Sequence, residues 1–386
     1  MTDFIMIAKT QMGLEEVLYN ELKELGARDI KILNRAVSFI GDTGFMYKAN
    51  FCLRTAIRVL KPIKSFNVIN EISLYDESKK IKWDNYFSLN NTISVSAAIN
   101  SKNFKHSHYV ALKVKDSIVD YFRDNYQGKR PDVNTKSPDI KINVHISSDT
   151  CNISLDSSGD SLHKRGYKNL INEAPINEVL AAGLILLSDW DKEQYFLDPM
   201  CGSGTILIEA AMIASKIPPS INRKTFSFMK WKDFDKSLWE KIKESSLNKI
   251  IDFPNKIIGC DRSFSAIRKT NENINNANLN EFIETHRCNF FKKPFNNNQN
   301  IFLIFNPPYG ERLTIQDVTE FYKKIGNILK NNYVGSTAWI ITSDLNAVKS
   351  IGLKYSKKIK LFNGKLECYF LKYELYKGSK KHKKNN

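Results

Sequence analysis

The second half of the chain reads as an α/β fold, a doubly wound and mostly parallel sheet closed by an antiparallel hairpin. The first half reads as α+β. Three observations predict this. From Gln194 onward, short apolar runs alternate with segments of helical spacing. The run Ile301-Phe302-Leu303-Ile304-Phe305 is apolar throughout, as a strand covered on both faces must be, and it stops at Asn306-Pro307-Pro308-Tyr309. Near the end, Asn363-Gly364 lies between two strand-like runs, the mark of a tight hairpin turn.

A chain of 386 residues exceeds one typical core, so two or three domains are expected. At 42% hydrophobic and 26% charged residues the bulk is folded. Lys+Arg number 58 against 41 Asp+Glu, a net charge of +17. That surplus favours a polyanion, and nucleic acid is the usual one. A general bias toward Lys and Asn produces the same surplus without a partner. The six cysteines, Cys52, Cys151, Cys201, Cys260, Cys288 and Cys368, are scattered with no C-x-x-C pair, so neither a metal cluster nor a disulfide framework is expected. The opening MTDFIMIAKT lacks the apolar core of a leader, and no apolar run approaches the roughly 20 residues that cross a membrane. A reducing cytoplasm fits this usage.

Taken in order, Asp3–Ala8 is strand-like, and Gln11–Leu25 has helical spacing through Leu14, Val17, Leu18 and Leu22. Ala36–Ile40 is a strand, Gly41-Asp42-Thr43-Gly44 a turn, and Phe45–Arg54 a helix. A second strand falls within Arg54–Pro62, giving a small ferredoxin-like unit over 1–60. Ile69–Trp83 reads as a helix, Thr92–Ile99 as a strand and Ser107–Asn125 as an amphipathic helix. Ile140–Ser147 and Thr150–Leu155 form a strand pair. Lys102, Lys105 and Lys113 cluster at the start of that helix and suit a phosphate backbone, although a solvated helix face has the same look. A polar joint follows, Ser157–Pro175, with Gly159 and Gly166.

The chemistry concentrates at strand ends. Asp198-Pro199-Met200-Cys201-Gly202-Ser203-Gly204-Thr205 joins the strand Gln194–Leu197 to the helix Ile206–Ser215. Glycines there let backbone approach a ligand closely. Leu207 stands where a dinucleotide fingerprint needs its third glycine, and no Gly-Lys-Ser/Thr ends a phosphate loop. The acid at the mouth, Asp198, disfavours a pyrophosphate and suits a cationic amino-acid group such as that of S-adenosylmethionine. Asp261, with Arg262 next to it, ends the strand Lys256–Cys260 and can take ribose hydroxyls. After the strand Phe282–Arg287, Asn289 can reach an adenine edge and Phe290 its face. At the end of Ile301–Phe305, the Asn306 side-chain oxygen and the Pro307 carbonyl can accept both protons of an aromatic amine. Pro308 stiffens that turn and Tyr309 can stack on the ring. Between these motifs, Ile217–Pro254 reads as an insertion whose Phe226, Phe228, Trp231, Phe234 and Trp239 suit local packing better than base stacking.

The stretch Gly41–Leu155 resembles a THUMP module preceded by a ferredoxin-like segment. The turn Gly41-Asp42-Thr43-Gly44, the helix after it and the strand pair ending Ile153-Ser154-Leu155 carry the likeness. The second half resembles Rossmann-like class I S-adenosylmethionine-dependent methyltransferases that act on amines, within them the family making N2-methylguanosine in large-subunit ribosomal RNA. Asp198–Thr205, Asn306–Arg312, the joint Gly159–Tyr167 and Ala174-Pro175-Ile176 carry this second likeness. Together the likenesses imply a ferredoxin-like segment at 1–60, a THUMP-like module at 61–157, a methyltransferase domain at 158–376 and a basic tail at 377–386. They also imply S-adenosylmethionine held by Asp198, Pro199, Gly202, Ser203, Gly204, Thr205, Asp261, Arg262, Asn289, Phe290 and Asn306. Asn306, Pro307 and Tyr309 would be catalytic, and Pro308, Tyr309, Lys102, Lys105 and Lys113 would meet RNA. Asn289 departs from the pattern, since many relatives carry aspartate there. A transfer-RNA guanine, an adenine-N6 in DNA, and a noncatalytic RNA-binding role remain as alternatives.

Overall fold

The computed structural model describes residues 2–168, 176–292, 300–308 and 315–377, with the backbone alone for 315–317. The elements run β1 (Phe4–Lys9), α1 (Glu15–Leu25), β2 (Arg28–Leu33), β3 (Ala36–Gly41), α2 (Thr43–Cys52), β4 (Arg58–Asn67) and α3 (Glu71–Lys79). They continue with β5 (Ile93–Asn100), α4 (Ser107–Asn125), β6 (Ile140–Ser147), β7 (Thr150–Asp156), α5 (Glu178–Leu187), β8 (Tyr195–Asp198), α6 (Thr205–Ala214) and α7 (Lys236–Leu247). The remainder is β9 (Ile257–Asp261), α8 (Phe264–Asn276), β10 (Ile283–Arg287), β11 (Ile301–Phe305), α9 (Ile315–Asn332), β12 (Thr337–Thr342), α10 (Leu345–Lys349), β13 (Lys357–Asn363) and β14 (Leu366–Glu374). The chain divides into two compact units. One holds Met1–Thr10, Leu18–Leu162 and Arg223–Asn248; the other holds Gln11–Val17, His163–Asn222 and Lys249–Asn386.

In the first unit one seven-stranded sheet runs β2-β3-β1-β4-β7-β6-β5. The ferredoxin-like and THUMP-like stretches are therefore not separate sheets: β4 pairs with β1 on one side and β7 on the other. Only the β5–β6 pair is parallel, and α4 makes its crossover. α4 spans Ser107–Asn125 because Val110, Val114, Ile118 and Phe122 recur every three to four residues, and all are buried. β2 was not foreseen. It is an edge strand with almost no buried side chain, so it lacks the apolar alternation that signals a strand.

Residues 223–248 lie within the sequence range expected for the methyltransferase domain, yet they pack in the first unit. Aromatic burial is the reason. Phe228 stacks on Tyr47 at 4.4 Å, and Trp239 meets Phe51 edge-on at 5.5 Å. The Asp235 backbone N–H donates to the Tyr47 hydroxyl at 3.1 Å. Arg223 donates to the carbonyls of Ser158, Asp160 and Ser161. The aromatic stripe is packing, as expected, but onto Tyr47 and Phe51 far back in the sequence as well as within the insertion, which includes a helix, α7, capped by Asp235.

The second unit is built on a sheet ordered β10-β9-β8-β11-β12-β14-β13. β10 through β12 are mutually parallel, and β14 and β13 close the sheet antiparallel. All five residues of β11 are buried, as its unbroken apolar run requires. Val318, Tyr322, Ile325 and Leu329 of α9 cover one face of the sheet.

Candidate active site

Four strands of the second unit end on one rim, and each delivers a residue singled out above. Asp198 closes β8, Asp261 closes β9, Asn289 lies just past β10 and Asn306 just past β11. The parallel register places Leu303 of β11 beside Leu197 of β8, and Asp198 beside Gly259 of β9. Neighbouring strands lie about 4.8 Å apart, so the acid and the amide sit on adjacent strands two to three residues apart in height.

The turn after β8 is pinned from below. The Cys201 N–H donates to the Cys260 carbonyl at 2.9 Å. On α8, Thr270 Oγ1 donates to the Gly202 carbonyl at 2.8 Å and Asn273 Nδ2 to the Ser203 carbonyl at 2.9 Å. Those bonds hold Gly202 at φ +57° and Gly204 at φ +76°, in the left-handed region. A Cβ on Gly204 would lie 2.7 Å from Thr270 Cγ2, whereas one on Gly202 would meet nothing within 4 Å. Gly202 therefore leaves open space on the ligand side of the turn. Ser203 Oγ and Thr205 Oγ1 lie 3.2 Å apart, and Pro199 is buried at the head of the turn.

Asp198 is 1% exposed. Its carboxylate accepts the Met200 N–H at 3.0 Å, and no basic side chain pairs with it among the described residues. Burial pushes its pKa up to about 8, with the nearby Asp261 adding to the shift. Asp261 accepts the Gly202 N–H at 3.1 Å and the Ser263 N–H at 2.8 Å, which aims the carboxylate along the rim. Arg262 is exposed, and its carbonyl takes a bond from Arg287 Nε at 3.4 Å. Asn289 Oδ1 accepts the Phe291 N–H at 3.0 Å, leaving its amide N–H groups as what it offers a base edge.

Phe290 lies against aromatic neighbours. It is 5% exposed, with its ring 6.0 Å from Phe305 and 5.8 Å from Tyr333. The ring thus packs on the core side of the rim, next in sequence to Asn289. Lys102 and Lys105 are exposed ahead of α4, while Lys113 lies half-buried with its ammonium 5.7 Å from the Tyr109 ring centroid. These three lysines belong to the first unit. Tyr309, the Gly310-Glu311-Arg312 that follow it, Ala174-Pro175 and residues 378–386 lie outside the described residues.

At the end of β11, Pro307 is buried and Asn306 half-buried. Asn306 Oδ1 is buried with no hydrogen-bond partner among the described residues. A buried acceptor left unpaired costs about 1–3 kcal/mol, so a donor that reached this oxygen would be favoured.

Sequence reasoning missed one feature behind the turn. Arg165 and Glu209, 1% and 0% exposed, form a buried ion pair at 3.2 Å, and the Tyr167 hydroxyl donates to the same carboxylate at 3.4 Å. Glu209 is on α6, the helix that begins at the glycine turn, so the pair anchors that helix to the joint. Glu209, a lone acid in the apolar run Ile206-Leu207-Ile208-Glu209-Ala210-Ala211, was the available signal; Arg165, within His163-Lys164-Arg165, gave none.

Comparison with known proteins accords with this architecture. The RMKL-like methyltransferase domain matches residues 165–372, the THUMP domain residues 69–156 and the RlmL ferredoxin-like domain residues 5–60. The chain belongs to the RMKL-like methyltransferase family. It is 38% identical over 96% of its length to a Synechocystis protein named as RNA methyltransferase slr0064, covering 96% of that protein. It is 34% identical over 95% of its length to the ribosomal RNA large subunit methyltransferase K/L of Syntrophotalea carbinolica, covering 53% of it. The chain thus spans about half the length of its K/L relatives. Among solved structures, a methyltransferase designated SMU.472, complexed with SAH, superposes with a TM-score of 0.88 at 29% identity, over 98% of this chain and 100% of that one.

The residues of this methyltransferase fit the methyl donor of its family, S-adenosylmethionine. Among the described residues Asp198 is a buried acid without a cation and Asn306 has an acceptor without a partner, while Gly202 leaves room for close approach.

Proposed function

We propose that this methyltransferase methylates the exocyclic N2 of a guanosine in RNA, with large-subunit ribosomal RNA as its substrate. The observation that carries this reading is the unpaired Asn306 Oδ1 at the end of β11, beside the buried Pro307 on the rim that also holds Asp198. When bound, S-adenosylmethionine supplies an electrophilic methyl group. Asp198 would hold its amino group, Asp261 and Arg262 its ribose, and Asn289 and Phe290 its adenine, while Pro199, Gly202, Ser203, Gly204 and Thr205 would form the turn against it.

A guanine amino nitrogen is a weak nucleophile because its lone pair is spread into the ring. Asn306 Oδ1 and the Pro307 carbonyl would accept hydrogen bonds from its two N–H groups, which favours a pyramidal nitrogen and aims the lone pair. Tyr309, outside the described residues, is the candidate to stack on the base, with Pro308 stiffening the turn before it. Positioning supplies the rate, and no covalent enzyme intermediate is required. The THUMP match over 69–156 and the K/L relatives support RNA as the substrate; Lys102, Lys105 and Lys113 are candidates to meet its backbone. The cytoplasm, where ribosomal RNA is made in bacteria, is the matching location.

The test is transfer of labelled methyl to purified large-subunit ribosomal RNA, transfer RNA and duplex DNA, followed by nucleoside analysis. N2-methylguanosine in the ribosomal RNA is the expected product. Methyladenine in DNA, or label in transfer RNA alone, refutes the reading.

A further inference from the structure

We infer that the edge strand β13 and its hairpin turn form a docking surface for the RNA backbone. This rests on the function proposed above. On the rim, Asp198, Asp261 and Asn289 occupy the ends of β8, β9 and β10, and Asn306 the end of β11. The methyl donor thus takes one half of the rim in the order β10-β9-β8-β11-β12-β14-β13. Substrate flanking the target base has the other half, over β12, β14 and β13.

The register shows that this other half stands tall. β12 runs parallel to β11, and its last pair with β14 is Thr342 with Tyr369. β13 and β14 continue for three further pairs, Leu361 with Cys368, Phe362 with Glu367 and Asn363 with Leu366. At about 3.3 Å per residue the hairpin projects roughly 10 Å beyond β12, on the rim where Asn306 lies. Three strand spacings separate β11 from β13, roughly 14 Å, which a short single-stranded segment can span.

This edge is cationic. Lys357, Lys360 and Lys372 have carboxylate partners in Asp189, Glu367 and Glu374. Lys354, Lys358 and Lys365 are exposed and have none among the described residues, which leaves a surplus of three positive charges. Lysines on an edge strand also discourage strand-to-strand association. That accounts for the lysines within β13 but not for Lys365 in the turn, on the rim side, or for Lys354 ahead of the strand. β13 runs parallel to β12, so Lys354 lies at the far end and the charges run down the whole edge, where a backbone segment can track them. Apolar surface is interleaved: Lys358 lies 4.1 Å over the Tyr369 ring, while Tyr355 and Leu366 are 38% and 46% exposed. The opposite edge, β10, pairs Glu284 with Lys256 and His286 and carries the exposed Arg287 at its end.

The experiment uses the full chain and in-vitro-transcribed large-subunit ribosomal RNA. The variant Lys354→Ala/Lys358→Ala/Lys365→Ala is compared with wild type by filter binding from 50 to 200 mM KCl (about the range over which phosphate contacts dominate affinity). The slope of log K against log salt should shrink by about 2, near 0.7 per lysine. KM for RNA should rise several-fold with kcat unchanged, S-adenosylhomocysteine affinity by calorimetry should be unaltered, and the triple arginine variant should restore binding. A variant with wild-type slope and KM, while the wild type methylates the RNA, overturns the docking surface and leaves the functional reading standing. A wild type that methylates no RNA overturns both.

Discussion

Replacing Asp198 by Asn should stabilise the free protein while weakening its hold on the methyl donor. In the folded chain burial holds the Asp198 pKa at about 8, whereas an unfolded aspartate titrates near 3.9. The folded state therefore keeps a proton that the unfolded state has released between roughly pH 4 and pH 8. Stability from this group is whole below pH 4 and is lost progressively up to pH 8, at as much as about 1.4 kcal/mol per pH unit. A rise of roughly four units gives an upper bound of about 5–6 kcal/mol above pH 8. Asparagine is neutral throughout and can still accept the Met200 N–H. Urea-unfolding curves of both proteins, collected in parallel from pH 5.5 to 8, should show the variant gaining on the wild type by about 3 kcal/mol across that range. Saturating S-adenosylhomocysteine should reverse the ranking, because its amino group supplies the cation that Asp198 lacks. Calorimetry at pH 7 in buffers of differing ionisation enthalpy should detect about one proton released on binding to wild type, and none with the variant. A stability gap that does not change with pH would refute the reasoning, since it would mean the carboxyl does not titrate as a buried, unpaired acid.

Further outcomes follow from other residues. Asn306→Ala should lower methyl transfer by about 100-fold or more with S-adenosylhomocysteine affinity nearly unchanged, measured by labelled transfer and calorimetry on one preparation. Gly204→Ala forces a side chain into a φ of +76° and to 2.7 Å from Thr270 Cγ2, so it should cost about 1–3 kcal/mol in urea unfolding and weaken donor binding. Glu209→Ala strands the Arg165 charge in the interior and should cost about 3–5 kcal/mol, with Glu209→Gln milder. Trp239→Ala removes the ring packed on Phe51 and Tyr47 and should cost about 3–5 kcal/mol, readable as earlier proteolysis within 223–248.

Periodicity and punctuation decided much of the second unit before any coordinates. The unbroken run of β11, the glycine turn after β8 and Asn363-Gly364 each depend on a few adjacent residues, and local sterics suffice to shape them. The same holds for α4, whose apolar stripe gave its limits as Ser107–Asn125. The charge balance, too, is composition alone, and so is the type of each residue at a strand end.

Which partners those segments take was decided only in three dimensions. Burial made Asp198 a weak acid and left Asn306 Oδ1 without a partner, and burial is set by strands distant in sequence. Residues 223–248 joined the first unit because Tyr47 and Phe51, some 180 residues earlier by the numbering, offered their aromatic rings a surface to cover. Phe290 packs on Phe305 and Tyr333 for a related reason, and no local pattern shows which distant rings a given ring will meet. A sequence specifies the local shape of each segment, whereas desolvation and long-range packing depend on what closes around it.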